Sequence, residues 1–212
     1  MKTVLITGFE PFAGAAINPS LEAVQQLEGR EISGGIIRTA IVPVVHQKSI
    51  DAVLKAIDEI KPDIVLLIGQ AAGRTGITPE RIAINIDDFR IPDNDSIQVI
   101  DEPVIEDGPA AYFASLPIKA MVKAMGEAGV VSSISNTAGT FVCNHLFYGV
   151  MHALRETAVK AGFIHIPLIP AQNITGEQAS MPLECIVRGL EICAATALSI
   201  EDDVVIVGGQ IA

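Results

Sequence analysis

The sequence IVLLIG at residues 64–69 decides the fold class, because it is apolar at every position rather than at alternate ones. A strand with this pattern is buried on both faces, which is typical of a parallel sheet covered by helices. Three further runs are strand-like: KTVLITG at 2–8, IIRTAIVPVV at 36–45 and GFIHIPL at 162–168. We therefore expect a sheet of mostly parallel strands.

Amphipathic segments separate these runs. Apolar side chains recur at helical spacing from Ile50 to Ile60, with Ser49 as the expected N-cap and Pro62 ending the pattern. Further helices are expected at residues 19–27, 116–127, 144–160 and 181–199. The alternation predicts an α/β fold, namely a three-layer α/β/α sandwich with a mostly parallel (mixed), twisted sheet in a single domain spanning residues 1–212.

Four segments are less regular. Residues 80–89 alternate apolar and polar positions, which predicts an edge strand, and residues 130–135 are expected to form another strand. Residues 90–109 are rich in Pro, Asp and Asn and are expected to be irregular. The apolar tail at 204–212 needs a cover, either by pairing within the domain or by packing on another subunit.

The composition excludes several classes of protein. The chain has 14 basic and 25 acidic residues and a net charge of −11, which argues against a nucleic-acid partner. Its longest apolar runs have strand length, so no membrane segment is expected, and the apolar N-terminus is too short for a signal peptide. The three cysteines show no metal-type spacing and cannot all pair, so we expect a cytoplasmic protein with free thiols.

Cys143 is the candidate nucleophile. It follows the small residues of the segment SNTAG and begins an apolar, helix-like run, and a helix N-terminus favours a thiolate. The alternative is a buried structural cysteine, since such residues are common. Cys185 and Cys193 fall within the last predicted helix and are interpreted as packing residues.

His165 is the best candidate for the base that a nucleophilic cysteine needs. It lies near the carboxyl end of the strand after the Cys143 helix, where a strand–helix–strand unit brings the two together. His145 and His152 would point away from Cys143 on a helix, and both are interpreted as packing or surface residues. His46 is interpreted as flanking a helix.

Glu80 is the candidate for the group that orients the imidazole, since it opens an apolar segment where a carboxylate is partly desolvated. The alternative is a salt bridge from Glu80 to Arg81 or Arg74. Asp87 and Asp88 are weaker candidates for the orienting role. They are also the best available metal ligands, but no His or Cys is near them in sequence, so no metal is expected. The segment TGFEPFAG lacks the spacing of a phosphate-binding loop.

Four blocks in chain order carry a family resemblance: TGFEPFAGAAINPS at 7–20, GQAAGRTGITPERIAIN at 69–85, SNTAGTFVCN at 135–144 and GFIHIPLIPAQ at 162–172. Together they resemble the pyroglutamyl peptidase I (pyrrolidone-carboxylate peptidase) family. The resemblance implies a cytosolic cysteine peptidase that acts on N-terminally pyroglutamylated peptides, without a cofactor and as a homo-oligomer, either a tetramer or a dimer.

The resemblance also implies roles for individual residues. The family triad falls on Glu80, Cys143 and His165, and Arg90 matches an arginine near the developing oxyanion, beside the Cys143 backbone N–H. The family's substrate-binding residues match Phe9, Phe12, Asn18, Gln70, Ile91, Phe141 and Val142. Two features depart from the pattern: Ala13 replaces a glycine, and the stretch from Cys143 to His165 is shorter.

Two other classes of function compete with a peptidase. One is a non-catalytic α/β module that binds a small molecule or nucleoside, and the other is a phosphorylase-like enzyme on a similar scaffold. Both predict dependence on phosphate or nucleoside and indifference to thiol reagents. A cysteine peptidase predicts loss of activity on thiol alkylation.

Overall fold

A computed structural model describes residues 1–173 and 175–209 of the chain. Six strands form one sheet in the order β2-β3-β1-β4-β8-β5, and two form a small separate sheet. The neighbours β3, β1, β4 and β8 run parallel, whereas the edge strands β2 and β5 are antiparallel to theirs. The strands are β1 (Lys2–Phe9), β2 (Glu31–Ile32), β3 (Gly35–Val42), β4 (Ile64–Gln70), β5 (Thr78–Pro79), β6 (Ile82–Ile84), β7 (Ala111–Phe113) and β8 (Lys160–Ile166).

Five helices cover both faces of the large sheet. They are α1 (Pro19–Gln25), α2 (His46–Ile60), α3 (Ile118–Glu127), α4 (Val142–Leu154) and α5 (Leu183–Ser199). Helices α1, α3 and α5 share one apolar cluster with the sheet, and α2 and α4 share the other. The predicted α/β/α layering and mixed, mostly parallel sheet are confirmed.

The continuous apolar pattern of the central strands follows from this layering. In β4, Leu66 and Ile68 face the α1/α3/α5 layer, whereas Val65 and Leu67 face the α2/α4 layer. All four side chains are fully buried. Since each such side chain contributes about 1.5–3 kcal/mol of burial free energy, β4 stabilises both layers at once.

Two helix boundaries differ from the prediction by more than two residues. Helix α2 begins at His46 rather than after Ser49, because the Asp93 carboxylate accepts a hydrogen bond of 2.8 Å from the His46 N–H. This cap comes from a distant loop, so local sequence does not reveal it. Helix α4 ends at Leu154 rather than residue 160, because Lys160 already pairs with Ile64 as the first residue of β8.

The prediction of a regular strand at 130–135 is wrong. The backbone of these residues nevertheless forms hydrogen bonds to residues 77–81 in the pattern of a parallel pair. Ile77 N–H donates to Val131 O, and Ser135 N–H donates to Pro79 O. Pro79 has no N–H to donate in between, which leaves only the isolated bridges Ile77↔Ser132 and Glu80↔Ser135. The segment 80–89 is a strand only at Ile82–Ile84, paired with β7.

Residues 90–109 and the tail at 204–209 lie outside the regular helices and strands. Residues 90–109 contain no strand or helix, as predicted. In the tail, the Arg81 guanidinium donates a hydrogen bond to Gly208 O, while Val205 and Val207 are exposed. Described residues 204–209 pair with no strand, and 210–212 lie outside the described range. Within that range, no helix is long and apolar enough to cross a membrane.

The close packing of α2 against α4 predicts opposite effects for two helical glycines. A Cβ at Gly149 would lie 2.2 Å from Ile50 Cδ1, whereas a Cβ at exposed Gly126 would meet nothing within 4 Å. Gly149→Ala is expected to lower the free energy of unfolding by about 1–3 kcal/mol through overpacking. Gly126→Ala is expected to raise it by up to about 1 kcal/mol through helix propensity. Urea denaturation of both variants checks this pair, and equal shifts would contradict the described packing.

Candidate active site

Parallel pairing of β4 with β8 brings the candidate nucleophile to the candidate base. Gly69 of β4 is the register partner of His165 in β8. A Cβ on Gly69 would lie only 3.1 Å from the Cys143 Sγ, so the sulfur sits directly above this glycine. Cys143 is the second residue of α4. The first turn of a helix and two strand ends therefore converge at one point.

His165 and Glu80 form the best-defined pair of the site. The His165 Nδ1 lies 2.7 Å from Glu80 Oε1, and both side chains are buried. The Glu80 backbone N–H donates to Phe163 O at 2.8 Å, which fixes the carboxylate beside the same strand. With Nδ1–H donated to Glu80, the imidazole has its Nε2 lone pair free for proton transfer.

Glu80 also binds Arg74, so both of its expected roles occur together. Arg74 Nη2 lies 3.1 Å from Glu80 Oε1 and donates further bonds to the Ser135 hydroxyl and Thr137 O. Arg81, the other suggested partner, instead donates to the Asn136 side chain. Arg74 therefore supplies a positive charge to the buried Glu80 and anchors the segment before Cys143.

The surroundings of the Cys143 thiol disfavour its thiolate. Burial raises the pKa of Cys143 to about 12, and the Glu80 carboxylate contributes to the rise. This direction is opposite to the lowered pKa expected from the helix N-terminus, because desolvation disfavours the charged form. The first-turn N–H groups of α4 have no intrahelical acceptor, and Phe141 provides no side-chain cap.

A cavity of about 550 Å³ opens beside Cys143. The predicted substrate-binding residues all line it, as does Arg90: Phe9, Phe12, Asn18, Gln70, Ile91, Phe141 and Val142. Phe12 and Phe141 pack with ring centroids 5.3 Å apart. The wall thus combines aromatic and aliphatic side chains with polar ones, among them the charged Asp88 and Arg90.

The two amide side chains of the cavity have different capacities for a ligand. Asn18 Oδ1 accepts bonds from the Ser20 N–H and hydroxyl, and its Nδ2 donates to Glu10 O. Asn18 is therefore a helix cap that shapes the loop, and its carbonyl is already engaged. Gln70 accepts one bond from Gln172, at 3.1 Å, and retains its own N–H donors.

The sequence is similar to known peptidases. The model of the pyroglutamyl peptidase family matches residues 2–200. The chain belongs to this family. The pyrrolidone-carboxylate peptidase of Vibrio campbellii is 57% identical over 100% of both chains. That of Bacillus cytotoxicus is 50% identical over 99% of both chains.

Solved structures of the family share the fold. The pyroglutamyl peptidase I of Bacillus amyloliquefaciens superposes with a TM-score of 0.95 at 45% identity, covering 96% of this chain and 100% of that one. A mutant pyrrolidone carboxyl peptidase from Pyrococcus furiosus gives a TM-score of 0.90 at 38% identity, covering 93% and 98%. This family member is accordingly a cysteine peptidase of the pyroglutamyl peptidase I type.

Ala13, where the family resemblance predicts a glycine, adopts a left-handed backbone with φ of 52°. Gly14 follows with φ of 76°, so the turn needs two successive positive φ values. An alanine in this region costs about 1–2 kcal/mol relative to its usual conformation. The loop after β1 keeps its turn at that cost.

Sequence reasoning missed one buried cluster of this peptidase, in which His46, Asp87 and His145 bring donor atoms within 4.8 Å of one another. His145, expected to be a packing or surface residue, places Nδ1 2.7 Å from Asp87 Oδ2, and His46 Nε2 lies 3.0 Å from the same oxygen. These are hydrogen-bond distances. His145 Nε2 has no partner, whereas a metal-bound imidazole needs an acceptor for its other N–H. The donors fit a hydrogen-bonded network better than a metal site.

The raised thiol pKa predicts how Cys143 reacts with iodoacetamide in the free peptidase. Because the thiolate fraction rises about tenfold per pH unit below a pKa of about 12, the alkylation rate should climb steadily from pH 7 to pH 10. Mass spectrometry of the Cys143 peptide separates this reaction from that of Cys185 and Cys193. A rate already at its plateau near neutral pH would show a preformed thiolate and contradict the prediction.

Proposed function

We propose that this peptidase removes the N-terminal pyroglutamyl residue from peptides through Cys143 as nucleophile, His165 as general base and acid, and Glu80 as the group that orients His165. The observation that carries the proposal is the position of the Cys143 sulfur above Gly69, the register partner of His165, at the wall of the cavity. Family membership supports the same reaction.

The first half-reaction forms a thioester. The Cys143 thiol passes its proton to His165 Nε2 as Sγ attacks the peptide-bond carbonyl carbon of the pyroglutamyl residue. Because the proton moves during the attack, no free thiolate forms in surroundings that disfavour it. The tetrahedral intermediate then breaks its C–N bond, and His165 returns the proton to the departing amine. Glu80 stabilises the imidazolium between these steps.

The second half-reaction restores the enzyme. Water loses a proton to His165 and attacks the thioester carbon, and the thiolate of Cys143 leaves and regains that proton. Pyroglutamate is released, so atoms and charges balance with water as the only co-reactant. No cofactor or metal is part of this scheme.

In the proposed reaction, backbone N–H groups stabilise the oxyanion of the tetrahedral intermediate. The Cys143 N–H lies in the unsatisfied first turn of α4, where the helix dipole also favours negative charge. Arg90 lines the same cavity and supplies a positive charge on its wall. Arg90 therefore assists the backbone N–H.

The cavity wall favours a small, flat and uncharged ring. Phe9, Phe12 and Phe141 offer apolar faces to the lactam, and Gln70 retains N–H donors for the lactam carbonyl. A free α-amino group placed against these rings would lose hydration. The cavity therefore selects peptides whose N-terminal residue is an uncharged lactam.

Membership in a peptidase family does not favour the two other classes of function considered from sequence, a nucleoside-binding module and a phosphorylase-like enzyme.

Cytoplasmic location and assembly into a dimer or tetramer are part of the proposal. Exposed apolar side chains at Phe113, Val205 and Val207 support assembly, because such groups gain from burial between copies. We also propose that residues 1–212 form one catalytic domain.

Hydrolysis of a pyroglutamyl arylamide and of a prolyl arylamide tests the proposal in the presence of reductant. Wild type should cleave only the pyroglutamyl compound, since the prolyl ring lacks the lactam carbonyl and carries a charge. Cys143→Ala should abolish turnover, and Glu80→Gln should lower kcat about a hundredfold or more, because the imidazolium loses its carboxylate.

Folded Cys143→Ala, verified by circular dichroism, is the control for the loss of turnover. Near-wild-type cleavage by this variant would overturn the assignment of the nucleophile. Absence of cleavage by reduced, folded wild type would overturn the proposed reaction itself.

A further inference from the structure

A buried carboxylate joins three elements that build the cavity. Asp87 is fully buried, and its Oδ2 lies 2.7 Å from His145 Nδ1 and 3.0 Å from His46 Nε2. His145 belongs to the first turns of α4, and His46 is the first residue of α2. The two imidazole rings lie with centroids 4.0 Å apart. One oxygen atom thus links two helices to the segment that carries Asp87.

Each linked element also contributes to the cavity. Two residues before His145, α4 carries Cys143, and the Asp87 segment continues into Asp88, Arg90 and Ile91 on the cavity wall. The residues before α2 contribute Val44. The network therefore lies behind the wall and touches no cavity surface itself.

Further bonds tie the Asp87 segment to the start of α4. Asn144 exchanges hydrogen bonds with the Ile84 N–H and O, and Thr140 exchanges bonds with the Asp88 backbone. Helix α2 meets this unit through the His46 imidazole and through the His46 backbone N–H, which donates to Asp93. Burying the Asp87 carboxylate costs free energy unless its hydrogen bonds are kept. The two imidazole donors are therefore held in a fixed geometry around it.

We propose that Asp87, His145 and His46 are positioning residues of the peptidase reaction. They hold the first turn of α4, and with it the sulfur and N–H of Cys143, in alignment with the cavity segment 88–91. The inference rests on the proposed function. Phe9, Phe12 and Gln70 come from other elements, whereas Phe141 and Val142 belong to the start of α4. Loosening the network therefore changes attack geometry more than lactam binding, and the expected loss in kcat exceeds the rise in KM.

Two amide substitutions at His46 separate positioning from packing. In His46→Gln the side-chain N–H lies near the former Nε2 and can still donate to Asp87. In His46→Asn the same group lies near the former Nδ1 and falls short. The Asn variant should lower kcat on the pyroglutamyl arylamide about tenfold, since a misplacement of about 1 Å costs about a hundredfold and this shift is smaller. The Gln variant should stay within twofold of wild type.

Gln47→Asn is the matched control, because it makes the same shortening at the next, exposed position of α2. It should not change kcat. Asp87→Ala, which removes the oxygen that both imidazoles share, should reproduce the kcat loss of His46→Asn. Urea denaturation shows whether each variant is fully folded at the assay temperature.

The outcomes distinguish this inference from the proposed function. An inactive wild type would overturn the proposed function. An active wild type with His46→Asn and His46→Gln equal in kcat would overturn the positioning role alone. A loss confined to KM would also overturn it, since binding rather than alignment would then depend on the network.

Discussion

The parallel pairing of β4 with β8 places Gly69 beside His165, and the absence of a side chain at Gly69 lets the Cys143 sulfur lie there. The rest of the site depends on this arrangement. A Cβ at Gly69 would also lie 2.6 Å from the Phe163 ring, which packs 4.8 Å from the His165 ring. The proposed nucleophile, the proposed base and the Phe163 ring therefore pack closely together at the carboxyl edge of the sheet.

In the proposed mechanism, electrostatics at this point favour a concerted proton transfer over a resting ion pair. The Glu80 carboxylate lies close enough to raise the thiol pKa, while Arg74 and His165 both bind the same Glu80 oxygen. A buried carboxylate held by two donors fixes the imidazole. In the proposed mechanism, this carboxylate stabilises the positive charge that develops on His165 during the reaction.

Much of this arrangement was accessible from the sequence, and the exceptions have physical causes. Apolar runs predicted the central strands, since burial on both faces imposes a pattern that local sequence carries. His165 and Cys143 were both predicted to lie at the same sheet edge, and the structure brings them there. Long-range contacts were not accessible: Asp93 caps α2 in place of Ser49, and Pro79 interrupts the ladder to residues 130–135. The meeting of Asp87 with His145 was missed for the same reason, since 58 residues separate the pair.

The central claim is that Cys143 carries the acyl group, and a rapid acid quench during turnover of a pyroglutamyl arylamide tests it most directly. Mass spectrometry of the digested protein should then find the mass of one pyroglutamyl group on the peptide that contains Cys143, and this adduct should vanish when substrate is exhausted. Turnover without any such adduct on trapping, or an adduct on Cys185 or Cys193 instead, would contradict the account.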